Sequence, residues 1–319
     1  MAIISLREAM DRIALTHGAI GAFNVTELLQ AEAVLDAAET TGLPVIVQTL
    51  AGSSAHHSDE RFWRGLRWII GEYPQVDAVM HLDHGPDYET CARAIDAGFS
   101  SVMIDASLEA DRRTPAGFET NVTTTSKVVV LAHAAGVSVE GELGTIGGGE
   151  GSDAAQQIVL ADPEQAEEFV RRTGVDALAV AIGTSHGAYK FATEPDSEVL
   201  RMDLIEEIAS RLPGTHLVMH GSSTLPADTR RRINANGGRL PESWGVPIAE
   251  KIRAGTIGIR KINQGMDSHM AFTAALREAL TADPQAVDPA FYLVPARREM
   301  SALVAERMLD FAGRHATRS

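Results

Sequence analysis

VDAVMHLDHG, residues 76–85, decides the fold. Its apolar run through Ala78, Val79 and Met80 leads to Asp83 and His84 and stops at Gly85-Pro86. A strand buried on both faces reads as a near-continuous apolar stretch, so the polar residues that end it project at the rim of a sheet. The pattern returns in VDALAVAIGTSHG (175–187) and THLVMHGSS (215–223). All three runs finish on a histidine followed by glycine: His84, His186 and His220. One such histidine alone is more often an ordinary satisfied side chain. Three in a repeated context can surround a metal ion with neutral nitrogens and leave a fourth position open, as a catalytic zinc site does.

Working outward, eight strand-like runs alternate with amphipathic stretches. They are 19–25, 44–50, 78–85, 101–107, 137–144, 177–183, 216–222 and 258–265. Several intervening stretches, such as LLQAEAVLDAAETTG and PEQAEEFVRRTG, close on glycine, a common helix stop. Eight βα units in a chain of this size predict a TIM (β/α)8 barrel with extra C-terminal helices. A doubly wound open sheet would need a Gly-rich phosphate fingerprint after the first strand, and GAFNVTE (21–27) has none. Residues 1–319 are expected to form a single domain. GTIGGGEGSDAAQQ (144–157) reads as a mobile loop at the active rim, 233–255 as a long excursion around Trp244, and 281–319 as a C-terminal helical extension.

The chain has 319 residues, 45% hydrophobic and 22% charged, with a formal net charge of −15. That acidity argues against a sequence-independent nucleic-acid binder. Cys91 is the only cysteine, so a metal must use histidine and carboxylate rather than thiolates. No apolar stretch approaches the roughly 20 residues of a membrane span, and MAIISLREAMDRIA lacks the pattern of a signal peptide. A cytoplasmic protein without membrane partners is expected.

In a barrel the C-terminal strand ends converge on one face. Here they supply Asn24, Asp83, His84, Asp105, Glu142, His186, His220, Ser222, Ser223 and Asn263. This inventory suits metal-assisted carbonyl chemistry, in which an ion polarises the carbonyl and a neighbouring base moves a proton. Asp83 is adjacent to His84, but successive strand residues face opposite ways. Both reach the pocket only if the chain turns at Gly85-Pro86; otherwise Asp83 is a supporting or helix-capping carboxylate. Asp105 and Glu142 read either as carboxylates that orient the histidines or as solvated strand ends. Gly187, Gly221 and the Ser222-Ser223 pair read as backbone donors to a phosphate or as ordinary turns.

HLDHG (81–85), SVMIDAS (101–107), VSVEGELGTIGG (137–148), TSHGAYKF (184–191) and VMHGSS (218–223), in this order, resemble the class II, metal-dependent fructose-bisphosphate aldolase family. SLEADRRTPAGFETNV (107–122) and RLPGTHLVMHGSS (211–223) resemble its Calvin-cycle-type branch. The resemblance runs from about residue 4 to about 310. It implies zinc-dependent, reversible cleavage of a ketose bisphosphate, fructose 1,6-bisphosphate, to dihydroxyacetone phosphate and an aldehyde phosphate. It implies that His84, His186 and His220 hold Zn2+, with Glu142 and Asp105 near the metal. It gives Asp83 the C4-hydroxyl proton and Glu150 the proton at the triose-derived carbon. Asn24 and Asn263 match substrate contacts. Gly187, Gly221 and Ser223 match a phosphate cradle beside a monovalent cation, Na+ or K+, and Arg297 resembles an arginine linked to the far phosphate. A homodimer or homotetramer acting on a small phosphorylated sugar is expected.

Two departures from the family pattern stand out. Where the family has KVNIDTD, this chain has KINQGMD, with Gly265 and Met266 in place of Asp-Thr. Where the second strand usually ends in Ser, this chain has Leu50. A lost hydrogen bond to a charged group is worth about 1.5–3 kcal/mol. The alternative reading is therefore the same mechanism on a different or less phosphorylated ketose. A non-catalytic barrel, or another metal-dependent enzyme such as an epimerase or hydrolase, complete the possibilities.

Overall fold

The computed structural model describes residues 3–145, 159–184, 191, 193–195 and 197–314. In chain order the elements are α1 Leu6–Ala14, β1 Ile20–Asn24, α2 Leu28–Thr41, β2 Val45–Leu50, α3 Asp59–Gly71, β3 Ala78–Gly85, α4 Tyr88–Asp96 and β4 Ser101–Ile104. There follow α5 Phe118–Ala134, β5 Ser138–Leu143, α6 Pro163–Thr173, β6 Ala177–Val180, α7 Met202–Arg211, β7 His216–Met219, α8 Ala227–Ala235, α9 Ile248–Ile257, β8 Ile259–Gln264, α10 Met266–Ala282 and α11 Pro289–Phe311. The eight strands pair in sequence order and close, β8 lying parallel to β1. This is the TIM barrel that the eight apolar runs predict.

Three strands stop earlier than their apolar runs suggest: β4 at Ile104, β6 at Val180 and β7 at Met219. After β4 the Asp105 carboxylate accepts from the Ser107 backbone at 3.3 Å and hydroxyl at 2.7 Å, folding the chain into a local turn. After β7 the chain passes through Gly221 at φ +59°, which a strand cannot accommodate. Each strand end thus becomes a rim loop, and the polar residues of the apolar runs sit on loops rather than in ladders.

The helices form where the sequence marks them. Asp162 caps α6 by accepting from the Gln165 N–H at 2.8 Å, with Pro163 in the first turn. In α1, Leu6, Ala9, Met10 and Ile13 are buried, the i, i+3, i+4, i+7 stripe of an amphipathic helix. That stripe lies against β1, β3, β5 and β8, so α1 spans the N-terminal mouth of the barrel. The 281–319 extension contributes one described helix, α11, rather than several. It packs on α2, α10 and β1, and the Phe311 carbonyl accepts from the Ala19 N–H at 2.8 Å. The extension is therefore part of the outer ring. Of the 144–157 loop, the structure describes its base, where Thr145 and Val159 form an antiparallel bridge. No described helix is long and apolar enough to cross a membrane.

Candidate metal centre and active site

The C-terminal end of β3 builds the centre. Its pairing with β4 shifts register between Leu82 and Gly85, and His84 has φ +42°, an uncommon conformation for a side chain with a Cβ. The extra residue of this bulge brings neighbouring side chains to one face. Gly85 permits it: a Cβ there would lie 2.5 Å from the Met103 carbonyl oxygen and 2.7 Å from Cys91 Sγ. Asp83 and His84 consequently both enter the barrel, as the turn expected at Gly85-Pro86 requires.

His84 meets His220 at the centre. His84 Nδ1 lies 3.2 Å from Asp105 Oδ2 and 3.6 Å from Glu142 Oε2. The first distance is a hydrogen bond and the second is too long for one, so Nδ1 carries the proton and Nε2 presents a lone pair. His220 Nε2 donates to Glu140 Oε1 at 2.7 Å, which leaves its Nδ1 as the acceptor. The two acceptor nitrogens, His84 Nε2 and His220 Nδ1, are 3.0 Å apart. Two lone pairs at that distance repel unless a cation sits between them. Without a metal that cation is a proton. Burial alone would push the His84 imidazole down, but the Asp83 charge, the Asp105 hydrogen bond and Glu142 outweigh it and raise it to about 10. Burial dominates at His220 and lowers it. A metal ion suits the same place: two nitrogens on one tetrahedral zinc, each about 2.0–2.1 Å from the ion, stand roughly 3.3 Å apart. Asp83, His84 and His220 offer ligand atoms within 4.8 Å of one another, and so do His84, Asp105 and Glu142.

Asp105 is saturated from several sides. Besides His84 it accepts from Ser107 and from the Arg112 guanidinium, whose Nη1 also reaches the Asp105 carbonyl at 2.7 Å. It therefore orients His84 rather than offering a spare oxygen. Burial and the Asp105 charge push the Glu142 carboxyl well above the usual range. Asp83 is the contrasting acid. Burial would raise it, but His84, His220 and Lys261 hold it down to about 2. Asn24 donates to Asp83 Oδ2 at 2.7 Å, Gln48 at 3.2 Å, and Asn263 approaches Oδ1 at 3.3 Å. Asn263 Nδ2 also stands 3.0 Å from His220 Nδ1. Gln48 Oε1 and Asn263 Oδ1 are buried and have no protein partner among the described residues, so both remain available to substrate hydroxyls.

Beneath these residues lies a charged layer that the motif reading misses. Lys261 Nζ donates to Glu140 Oε2 at 2.8 Å and meets His81 Nε2 at 3.3 Å, and His81 Nδ1 bonds Ser101 Oγ at 2.8 Å. His81, Glu140 and Lys261 are fully buried. Burial and the Lys261 charge push His81 down to about 3, so it is neutral. The signal was present at strand spacing: His81/Asp83, Glu140/Glu142 and Lys261/Asn263 are i, i+2 pairs, which share a face.

The remaining candidates fall into three groups. Ser222 and Ser223 are buried on the loop after His220, where the Ser222 hydroxyl donates to the Asn263 carbonyl at 2.7 Å. Gly265 caps α10 and Met266 opens it; Met266 packs on the small cluster of Leu225, Ile233, Met270 and Ala274. A Cβ at Gly265 would stand 3.3 Å from Asn24 Oδ1, so any larger residue there requires Asn24 to yield. Leu50 closes β2 opposite Asp83. Arg297 has a different setting. It lies on α11, where Nε and Nη2 bond Asp36 at 2.8 and 2.9 Å, Nη1 pairs with Glu32, and Tyr73 Oη lies at 3.2 Å. These partners hold it on the outer ring, where it makes no hydrogen bond to the other described site residues. His186, Gly187 and Glu150 lie outside the described residues.

Comparison with known proteins agrees with this geometry. Residues 4–315 match the family described as fructose-bisphosphate aldolase class-II. A fructose-bisphosphate aldolase of Nostoc sp. is 48% identical over 324 residues, covering 98% of this chain and 90% of its own length. The class 2 fructose-bisphosphate aldolase of Synechocystis sp. is 45% identical, again over 98% of this chain. The crystal structure of the YdjI aldolase from Escherichia coli K12 superposes with a TM-score of 0.75 at 27% identity, covering 97% of each chain. With a closed eight-stranded barrel, a histidine pair built for a cation and full-length likeness to aldolases, the chain belongs to the class II fructose-bisphosphate aldolase family.

Proposed function

We propose that this protein binds Zn2+ between His84 and His220, with His186 as third ligand, and cleaves fructose 1,6-bisphosphate reversibly to dihydroxyacetone phosphate and glyceraldehyde 3-phosphate. The observation that carries the reading is the 3.0 Å approach of His84 Nε2 and His220 Nδ1, each made an acceptor by a carboxylate behind it. The ion would act as a Lewis acid on the ketose carbonyl oxygen. Asp83 is ionised at neutral pH and accepts the C4-hydroxyl proton as the C3–C4 bond breaks. Asn24 and Gln48 hold its other oxygen so that the carboxylate keeps one orientation. Asn263 positions a substrate hydroxyl beside His220. Glu150 returns a proton to the triose-derived carbon. The Gly221–Ser223 loop, with Gly187 and the backbone of Gly265 and Met266, receives a phosphate, with Na+ or K+ close by. The full-length likeness to named fructose-bisphosphate aldolases favours this substrate over a different ketose, despite Leu50, Gly265 and Met266.

A homodimer or homotetramer in the cytoplasm completes the reading, with exposed Leu280, Val287, Phe291 and Val294 as apolar surface for a second copy. The test of the site is His220→Ala, which removes a protein ligand and should abolish bound zinc and cleavage together. One zinc per chain with full activity in that variant refutes the assignment.

A further inference from the structure

Among the described residues two lysine ammonium groups are fully buried, Lys261 and Lys251. Lys261 has Glu140 as counter-ion. Lys251, on α9, forms no ion pair with any described carboxylate. Its Nζ donates to the Ser222 carbonyl at 3.0 Å and to Thr224 Oγ1 at 2.6 Å, and lies 5.5 Å from the centre of the Phe311 ring. Burying a charge without a paired opposite charge is costly, so a lysine in this place needs a reason. Its two oxygen partners both belong to the loop that follows His220.

The peptide geometry of that loop gives the reason. The Ser222 carbonyl points at Lys251. There are no cis peptide bonds among the described residues, and in a trans peptide C=O and N–H point oppositely. The Ser223 N–H is therefore aimed away from α9, and no described acceptor takes it. The next two N–H groups are engaged: Asp267 Oδ2 accepts from Thr224 at 2.9 Å and Oδ1 from Leu225 at 2.8 Å. Lys251 and Asp267 thus fix the loop from α9 and α10, and the ammonium polarises the Ser222–Ser223 peptide, whose N–H has no acceptor among the described residues.

We propose that Lys251 is a positioning residue and internal counter-charge for the Gly221–Leu225 loop, aligning and polarising the Ser223 N–H for a phosphate-like group of the substrate. This rests on the reading of the loop as a phosphate subsite. It also explains how an anion is received where Gly265 and Met266 leave no side-chain hydroxyl. Burial pushes the Lys251 ammonium down to about 8, with Asp267 on α10 and Asp310 on α11 opposing and Arg307 on α11 adding to the fall. A phosphate seated on the far side of the loop raises it again.

The test uses the full zinc-loaded chain with inorganic phosphate as probe. Lys251→Met keeps the stem and removes the charge. Its phosphate dissociation constant is expected to rise about tenfold or more, equivalent to about 1.4 kcal/mol, with zinc content unchanged. In Lys251→Ala, added ammonium chloride is expected to recover part of that affinity where sodium chloride does not. Lysine-selective NMR on the parent protein is the second measurement and needs no variant: phosphate should raise the Lys251 pKa. Equal phosphate affinity in the parent and Lys251→Met, or an unmoved lysine pKa at saturating phosphate, overturns the role of Lys251 alone. A parent protein that binds no phosphate overturns the phosphate-loop reading, and this proposal with it.

Discussion

Replacing Glu140 by Gln separates the two tasks of the charged layer under the metal centre. Glu140 takes the His220 Nε2 proton on one oxygen at 2.7 Å and the Lys261 ammonium on the other at 2.8 Å. All three groups are fully buried. The carboxylate is held far below its usual range: burial would raise it, but Lys261 and His220 outweigh that. Glutamine keeps the shape and removes the charge, which strands the Lys261 ammonium. Breaking a buried pair from one side costs about 3–5 kcal/mol, a large share of the roughly 5–15 kcal/mol that stabilises a typical domain. The same change loosens the tautomer of His220, and losing a group behind a metal ligand costs about 10–100-fold in metal affinity. Urea unfolding and zinc competition against a chelator read the two effects separately. Adding Lys261→Met removes the stranded charge, so the double variant should regain most of the stability and little of the zinc affinity. A Glu140→Gln protein within 1 kcal/mol of the parent, with unchanged zinc affinity, refutes this account of the layer.

Other consequences follow from the same geometry. Because His84 without metal is held protonated to about pH 10, zinc binding near pH 7.5 should release about one proton. Calorimetric enthalpies should then vary with buffer ionisation, and an absence of that variation counts against a shared cation position. Asp83→Ala should keep its zinc and lose cleavage by about 10²–10⁴-fold; near-parent turnover would make Asp83 a supporting residue. Arg297→Ala removes a partly exposed ion-pair network on α2 and α11, so it should cost about 1 kcal/mol or less and leave KM unchanged. A KM raised tenfold would return Arg297 to the substrate site.

Much of this was legible in residue order alone. Parallel strands buried on both faces announce themselves as apolar runs, so all eight were found, and His84, Asp83 and His220 stood out as polar exceptions at their ends. The bulge at Leu82–Gly85 is less visible, because it depends on how β4 pairs with β3; only the Gly-Pro step hints at it. His81, Glu140 and Lys261 were overlooked because each sits inside an otherwise apolar run, where a charge makes sense only once its partner across the barrel is known. Lys251 reads as one more helix-surface lysine until α9 is seen packed under the 220–225 loop. Arg297 is the opposite case: its motif is short, and only the packing of α11 on α2 shows Asp36 and Glu32 around it.

The central claim is that a zinc ion held by the rim histidines makes this chain cleave fructose 1,6-bisphosphate. The direct measurement is the rate of dihydroxyacetone phosphate formation from that sugar by protein stripped with a chelator, then reloaded with zinc. The expected result is no cleavage by the stripped protein, and kcat/KM of roughly 10⁴ M⁻¹s⁻¹ or above after reloading. Cleavage that survives metal removal, or a zinc-loaded protein inert toward fructose 1,6-bisphosphate, contradicts it.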